Sequence, residues 1–180
     1  MRVIAGSAKG VRLAPVPAGT RPLSDRAREG LFSSLGPKVV GATVLDLFAG
    51  TGATGIEALS RGAITALFVD SAPAAAKVMG ENLRRTRLQA KGTVRCQDVR
   101  RALASGLRRF DLILLDPPYA IEPVILDGTL ADLERYGTAA PEATVVLTRG
   151  AKSYMPVVPV NWAVERRLSY GDAALLIFRT

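Results

Sequence analysis

The stretch Val44-Leu45-Asp46-Leu47-Phe48-Ala49-Gly50-Thr51-Gly52-Ala53-Thr54-Gly55 runs from apolar residues into a glycine-rich turn. Ile56-Glu57-Ala58-Leu59 follows as a helix-compatible run, so the segment opens a nucleotide-binding α/β unit. Gly50, Gly52 and Gly55 fit the dinucleotide spacing, and Asp70 ends another apolar strand about 20 residues on. Asp46 favours a different ligand. A carboxylate inside the strand would repel a pyrophosphate at the turn, with little water to screen the two charges. The same carboxylate would attract S-adenosylmethionine (SAM), which carries an ammonium, a sulfonium and no phosphate. The alternatives are a dinucleotide, or a turn that only packs helix on strand while Asp46 holds a structural hydrogen bond.

Outward from this unit, apolar and helical runs alternate. Strands are expected at 43–48, 64–70, 92–97, 110–116 and 143–148, with helices near 53–61, 72–88, 99–107 and 121–136. Such alternation implies a mostly parallel sheet covered on both faces. Phe110–Leu115 is nearly continuous in apolar character, as a central strand should be. After Thr148 the rhythm changes, and 160–168 and 173–178 read as two strands joined around Tyr170-Gly171-Asp172, an antiparallel edge pair.

Residues 1–36 differ from the rest. Arg2–Ala5 and Val11–Leu13 suggest a short hairpin, and Ser24 is a good cap for a helix over Asp25–Leu35. Ala27, Leu31 and Leu35 form its apolar stripe, leaving Arg26, Arg28 and Glu29 for the outer face. Six basic residues against two acidic ones give this segment +4. It is expected to act as a basic extension (1–36) to a catalytic domain (37–180), with Lys9, Arg12, Arg21, Arg26 and Arg28 gripping a polyanion.

The whole chain of 180 residues carries +8, with 19 arginines and 5 lysines, a balance suited to meeting nucleic acid. A second basic run spans 84–109, mostly on an expected solvated face. There is no histidine and a single cysteine, Cys96, which excludes histidine bases, disulfide frameworks and cysteine- or histidine-rich metal sites. Cys96 is expected as a small core residue. No signal peptide or membrane span is apparent, so a cytoplasmic monomer without bound metal is expected.

Asp116-Pro117-Pro118-Tyr119 ends the fourth strand, at the sheet edge where open α/β folds bind ligands. Two prolines remove two N–H donors and fix the backbone. The turn therefore offers a carboxylate, a proline carbonyl and an aromatic face, the set needed to methylate an exocyclic amine on a base. That nitrogen is a poor nucleophile because its lone pair is delocalised. Hydrogen bonds to Asp116 and the Pro117 carbonyl would turn the lone pair toward the methyl donor, and Tyr119 would stack on the base for ~1–3 kcal/mol.

Asp46–Gly52, Val69-Asp70, Gln97-Asp98 and Asp116–Tyr119 resemble the ordered motifs of class I SAM-dependent methyltransferases. Arg2-Val3-Ile4-Ala5-Gly6, Lys9-Gly10-x-x-Leu13, Thr20-Arg21-Pro22 and Asp25-Arg26-x-Arg28-Glu29-x-Leu31-Phe32 resemble the RsmD family, which methylates guanine N2 at one site in 16S ribosomal RNA. Leu23 departs from that pattern, where a threonine is usual. The resemblance implies a seven-stranded Rossmann-like α/β fold and, as substrate, the small ribosomal subunit or its assembly intermediate. It further implies that Asp46, Gly50 and Gly52 surround the methionine part of SAM, with Phe48, Thr51 and Ser71 also in the cofactor site. Asp70 would hold the ribose hydroxyls, and Asp98 with Val99 the adenine. Asp98 also reads as a helix N-cap. The rivals are a DNA or RNA methyltransferase acting on adenine N6 or cytosine N4, and a nucleic-acid-binding protein with a vestigial SAM pocket. Cytosine C5 chemistry is weaker, since Cys96 lies on another strand.

Overall fold

The computed structural model describes residues 1–15 and 23–180. Its elements are α1 (Asp25–Leu35), a 3-10 turn (Gly36–Val39), β1 (Thr43–Leu47), α2 (Ala53–Ser60), β2 (Thr65–Asp70), α3 (Pro73–Arg85) and β3 (Gly92–Cys96). There follow α4 (Val99–Ala104), β4 (Phe110–Leu115), α5 (Pro123–Arg135), β5 (Ala139–Gly150), β6 (Ala163–Tyr170) and β7 (Ala173–Arg179). The seven strands form one sheet in the order β3-β2-β1-β4-β5-β7-β6. The first five are parallel, while β7 is antiparallel to both β5 and β6. The strand order reverses direction between β1 and β4, the topological switch point at which open α/β sheets bind ligands.

Side chains alternate across the sheet, and the two faces feed separate cores. Val44, Phe68, Leu112, Leu114 and Val146 pack with α1, α2 and α3. Leu45, Leu47, Ile113, Leu115, Val145 and Leu147 pack instead with α4 and α5. Asp46, Asp70 and Asp116 share the parity of the first set. All three therefore leave the sheet on the same face, at or just beyond the C-terminal ends of β1, β2 and β4.

The boundaries differ from expectation in understandable places. β5 starts at Ala139 rather than near 143, because Glu142 takes a positive φ of 61° and the pairing with β4 shifts register between Phe110 and Leu112, so the strand continues across an irregularity. α4 stops at Ala104, before Gly106 at φ 76°. Cys96 is exposed rather than buried, since β3 is an edge strand. None of the described helices is long and apolar enough to cross a membrane.

Residues before β1 share the first core. Val3, Ala8, Leu13, Leu23, Ala27, Leu31, Phe32 and Leu35 pack into the same cluster as the sheet. The hairpin reduces to a single antiparallel bridge, Arg2 with Arg12, flanked by Val3 N–H to the Val11 carbonyl at 3.0 Å. Polar side chains of the sheet helices fasten it. Glu57 accepts from the Ile4 and Ala5 amides at 2.8 and 3.0 Å, and the Ser60 hydroxyl accepts from Ala8 N–H at 2.9 Å. Ser24 caps α1 by accepting from Ala27 N–H at 3.2 Å.

Arg28 corrects the expected outer face of α1. It is fully buried, with Nη2 donating to Asp25 and to the Arg2 carbonyl and Nε 3.8 Å from Glu57. Arg28, Leu31, Phe32 and Leu35 stand at i, i+3, i+4, i+7, so position 28 belongs to the inward stripe. The buried Glu57 carboxylate, shared with Arg61, makes a cation tolerable there. Arg28 cannot touch RNA from this position.

Candidate active site

The turn after β1 is held by the carboxylates around it. Asp46 is 2% exposed, and its Oδ2 accepts from Gly55 N–H at 2.9 Å. A Cβ on Gly55 would come within 2.8 Å of that oxygen and 2.4 Å of the Phe68 ring, so only glycine lets α2 approach so closely. Asp70 bridges two loops, accepting from Gly50 N–H and Ala72 N–H, each at 2.9 Å. Phe48 takes φ 57°, an uncommon conformation for a bulky residue and the kind of strain that gathers at functional turns. Gly50, at φ 56°, has no atom within 4 Å of where a Cβ would stand, so open space lies before the turn. Thr51 is buried, and its carbonyl accepts from Asn82 at 2.9 Å.

Electrostatically the pocket is anionic. Burial pushes the Asp46 carboxyl well above the ordinary carboxylate range; the Gly55 N–H opposes this, and the charges of Asp116 and Asp70 add to it. Burial also raises Asp116, to about 6, against a hydrogen bond from the Thr148 hydroxyl. No arginine or lysine among the described residues forms an ion pair with any of the three carboxylates. Among the described residues, three carboxylates with no cation paired to them beside an open glycine turn fit the ammonium and sulfonium of SAM. They do not fit a pyrophosphate. The structural hydrogen bond expected of Asp46 is present, from Gly55 N–H.

The Asp116–Tyr119 turn is asymmetric in its carbonyls. Pro118 accepts from Ile121 N–H at 3.0 Å and from Arg149 at 3.3 Å, and Tyr119 accepts from Arg149 at 3.4 Å. The Pro117 carbonyl takes no hydrogen bond from the described residues, leaving it and Asp116 as the acceptors of the turn. Tyr119, beside them, is 37% exposed.

The remaining expected residues are placed as follows. Ser71 is exposed after β2. Asp98 caps α4, accepting from Arg101 N–H at 2.9 Å, so the alternative of a helix cap is realised. Val99 is 3% exposed and packs in the core under α4, leaving little side chain for an adenine. Lys9, Arg12 and Arg26 are exposed on the N-terminal segment, and Arg21 lies outside the described residues. Among the described residues, no cluster of three or more histidine, cysteine, aspartate or glutamate side chains could hold a metal ion. Sequence reasoning missed Thr148, Arg149 and Asn82. Thr148 stands out only once the register is known: Leu115 pairs with Leu147, so the next step sets Asp116 beside Thr148.

Together, the sheet order and the carboxylates at the β1, β2 and β4 ends define a methyltransferase of the SAM-dependent class I. The chain belongs to the RsmD family, whose model, described as "Conserved hypothetical protein 95", matches residues 1–179. It is 34% identical to Ribosomal RNA small subunit methyltransferase D of Escherichia coli, over 99% of this chain and 89% of that one. The protein of that name in Haemophilus influenzae is 26% identical over 99% and 93%. The solved structure of the Escherichia coli protein yhhF superposes with a TM-score of 0.89 at 34% identity, covering 99% of this chain and 97% of that one.

Proposed function

We propose that this protein transfers the methyl group of SAM to guanine N2 of small-subunit ribosomal RNA. Bound in the carboxylate pocket, SAM supplies an electrophilic methyl on a sulfonium. The chain's own residues do the rest. Asp46 and Asp70 shape the glycine turn and counter the cofactor's positive charge. Asp116, as the carboxylate, and the Pro117 carbonyl accept from the amine and hold its lone pair in line. Tyr119 receives the extruded base. The proton leaves to water or through Asp116, which near neutral pH is a competent acceptor.

The observation that carries this reading is the pair of acceptors beside the carboxylate-lined glycine turn: Asp116 and the Pro117 carbonyl, which takes no hydrogen bond from the described residues. The restriction to ribosomal RNA draws support from the relatives' names and from the exposed basic residues Lys9, Arg12 and Arg26. The test is label transfer from SAM with separate small subunits, naked ribosomal RNA and DNA. Label confined to small-subunit RNA is expected; label on DNA alone would overturn the substrate assignment.

A further inference from the structure

Arg149 has no part in the scheme above, yet it is one of the largest buried side chains, at 1% exposure. It continues the inward row Val145, Leu147 of β5, where an apolar residue would be the ordinary choice. Among the described residues it has no carboxylate partner. Its three contacts are main-chain carbonyls: Nη1 to Pro118 at 3.3 Å, Nη2 to Tyr119 at 3.4 Å and Nε to Tyr154 at 3.4 Å. Burial lowers its pKa, and Tyr119 opposes that shift. Burying a cation without a counter-charge is costly, so the contacts it makes need a purpose.

The sequence of the turn supplies one. Pro117 and Pro118 lack N–H groups, so the carbonyls here need a donor from elsewhere. The planar fork of an arginine can serve adjacent carbonyls at once; a lysine cannot match that geometry. The third contact reaches a different segment. Tyr154 lies in the stretch after β5, where Tyr154 Oη donates to Asp127 at 2.9 Å and Val157 N–H to the same carboxylate at 3.0 Å. One guanidinium thus joins the Asp-Pro-Pro-Tyr turn to the 154–157 segment, itself tied to α5. Tyr119 and Tyr154 are both partly exposed, at 37% and 41%. The Tyr119 ring rests on Gly150, where a Cβ would meet it at 3.1 Å.

We propose that Arg149 is a positioning residue for methyl transfer. It engages the Pro118 and Tyr119 carbonyls so that only Pro117 and Asp116 face the amine, and it fixes Tyr119 against the Tyr154 segment as two sides of the target-base pocket. The proposal rests on the functional reading above for its consequence in catalysis, while the clamp itself is a property of the free protein.

Two measurements separate these. In hydrogen exchange on the free protein, Arg149→Met should lose protection in both the 119–121 and 154–157 segments, with the β1 turn unchanged. In single-turnover methylation of small subunits, Arg149→Met and Arg149→Lys should slow by about 100-fold, the scale for a small misplacement of reacting groups. SAM and subunit affinities should stay within about twofold, since phosphate contacts dominate the latter. Arg149→Ala should regain part of its rate when guanidinium is added at concentrations too low to denature. Val145→Ala, in the same row of β5, controls for lost stability. The proposal is overturned if exchange in the two segments is unchanged. It is equally overturned if Arg149→Met turns over at the wild-type rate, or if Val145→Ala with the same drop in melting temperature is slowed as much. Loosened segments with a wild-type protein that transfers no methyl would refute the functional reading and leave the clamp standing.

Discussion

Asp116→Asn offers a test in which stability and activity move in opposite directions. The wild-type carboxyl is pushed up to about 6 from an ordinary 3.8, by burial, with one hydrogen bond from Thr148 opposing. A folded-state pKa above the unfolded one means that the folded protein binds the proton more tightly. Stability is therefore greatest below about pH 4 and falls as pH rises through about 6. Two pKa units correspond to about 3 kcal/mol, an upper bound for a side chain that keeps some solvent contact. Asparagine has the same shape and no charge to desolvate. In urea unfolding at pH 7.5 the variant should gain about 1–3 kcal/mol over wild type, and the gain should vanish near pH 4. Single-turnover methylation should fall by a factor of about 10²–10³, the scale for losing one well-placed transition-state partner. The wild-type rate should rise with pH through an acid limb near 6, moved lower once the cofactor's positive charge is bound. A variant destabilised equally at every pH, or a wild-type rate with no acid limb anywhere from pH 4 to 7, would refute this account of Asp116.

Asp70→Ala should weaken SAM binding by ~1–3 kcal/mol by calorimetry, with part of the loss coming from the freed Gly50 and Ala72 amides. Unchanged affinity would remove Asp70 from the cofactor site. Neutralising Lys9 and Arg12 together should shallow the log–log salt dependence of RNA binding by about two units or slightly less, with SAM affinity kept; an unchanged slope would return both to ordinary surface. Arg28→Ala should instead lower stability, by about 3 kcal/mol, because Glu57 stays buried with Arg61 and two amides as its remaining partners. Tyr119→Ala should weaken productive base binding and slow transfer, whereas Tyr119→Phe should be mild; equal effects would point to the hydroxyl rather than stacking.

The parts legible in sequence are those written locally. The β1 turn, the Asp-Pro-Pro-Tyr turn and the α/β alternation each depend on neighbours along the chain. The shared face of Asp46, Asp70 and Asp116 needs more than the strand period, because it is set by the register between β1, β2 and β4. What the sequence hid depends on distant partners. Arg28 reads as a surface charge until Glu57, on another helix, is seen beneath it. Arg149 reads as a strand-end cation until three carbonyls from two loops converge on it. The fastening of the N-terminal segment likewise rests on Glu57, Ser60 and Asn82, polar residues of helices whose inward faces are otherwise apolar. Asn82 accepts from Ala14 N–H at 2.7 Å and donates to the Thr51 carbonyl, joining that segment to the β1 turn through one side chain.

The central claim concerns which atom receives the methyl group. Small subunits methylated with labelled SAM can be digested to nucleosides and separated by chromatography. The account requires the label in N2-methylguanosine, with Asp116→Ala reducing it by a factor of about 10²–10³. Label in N6-methyladenosine or N4-methylcytosine, or full labelling by Asp116→Ala, would contradict it.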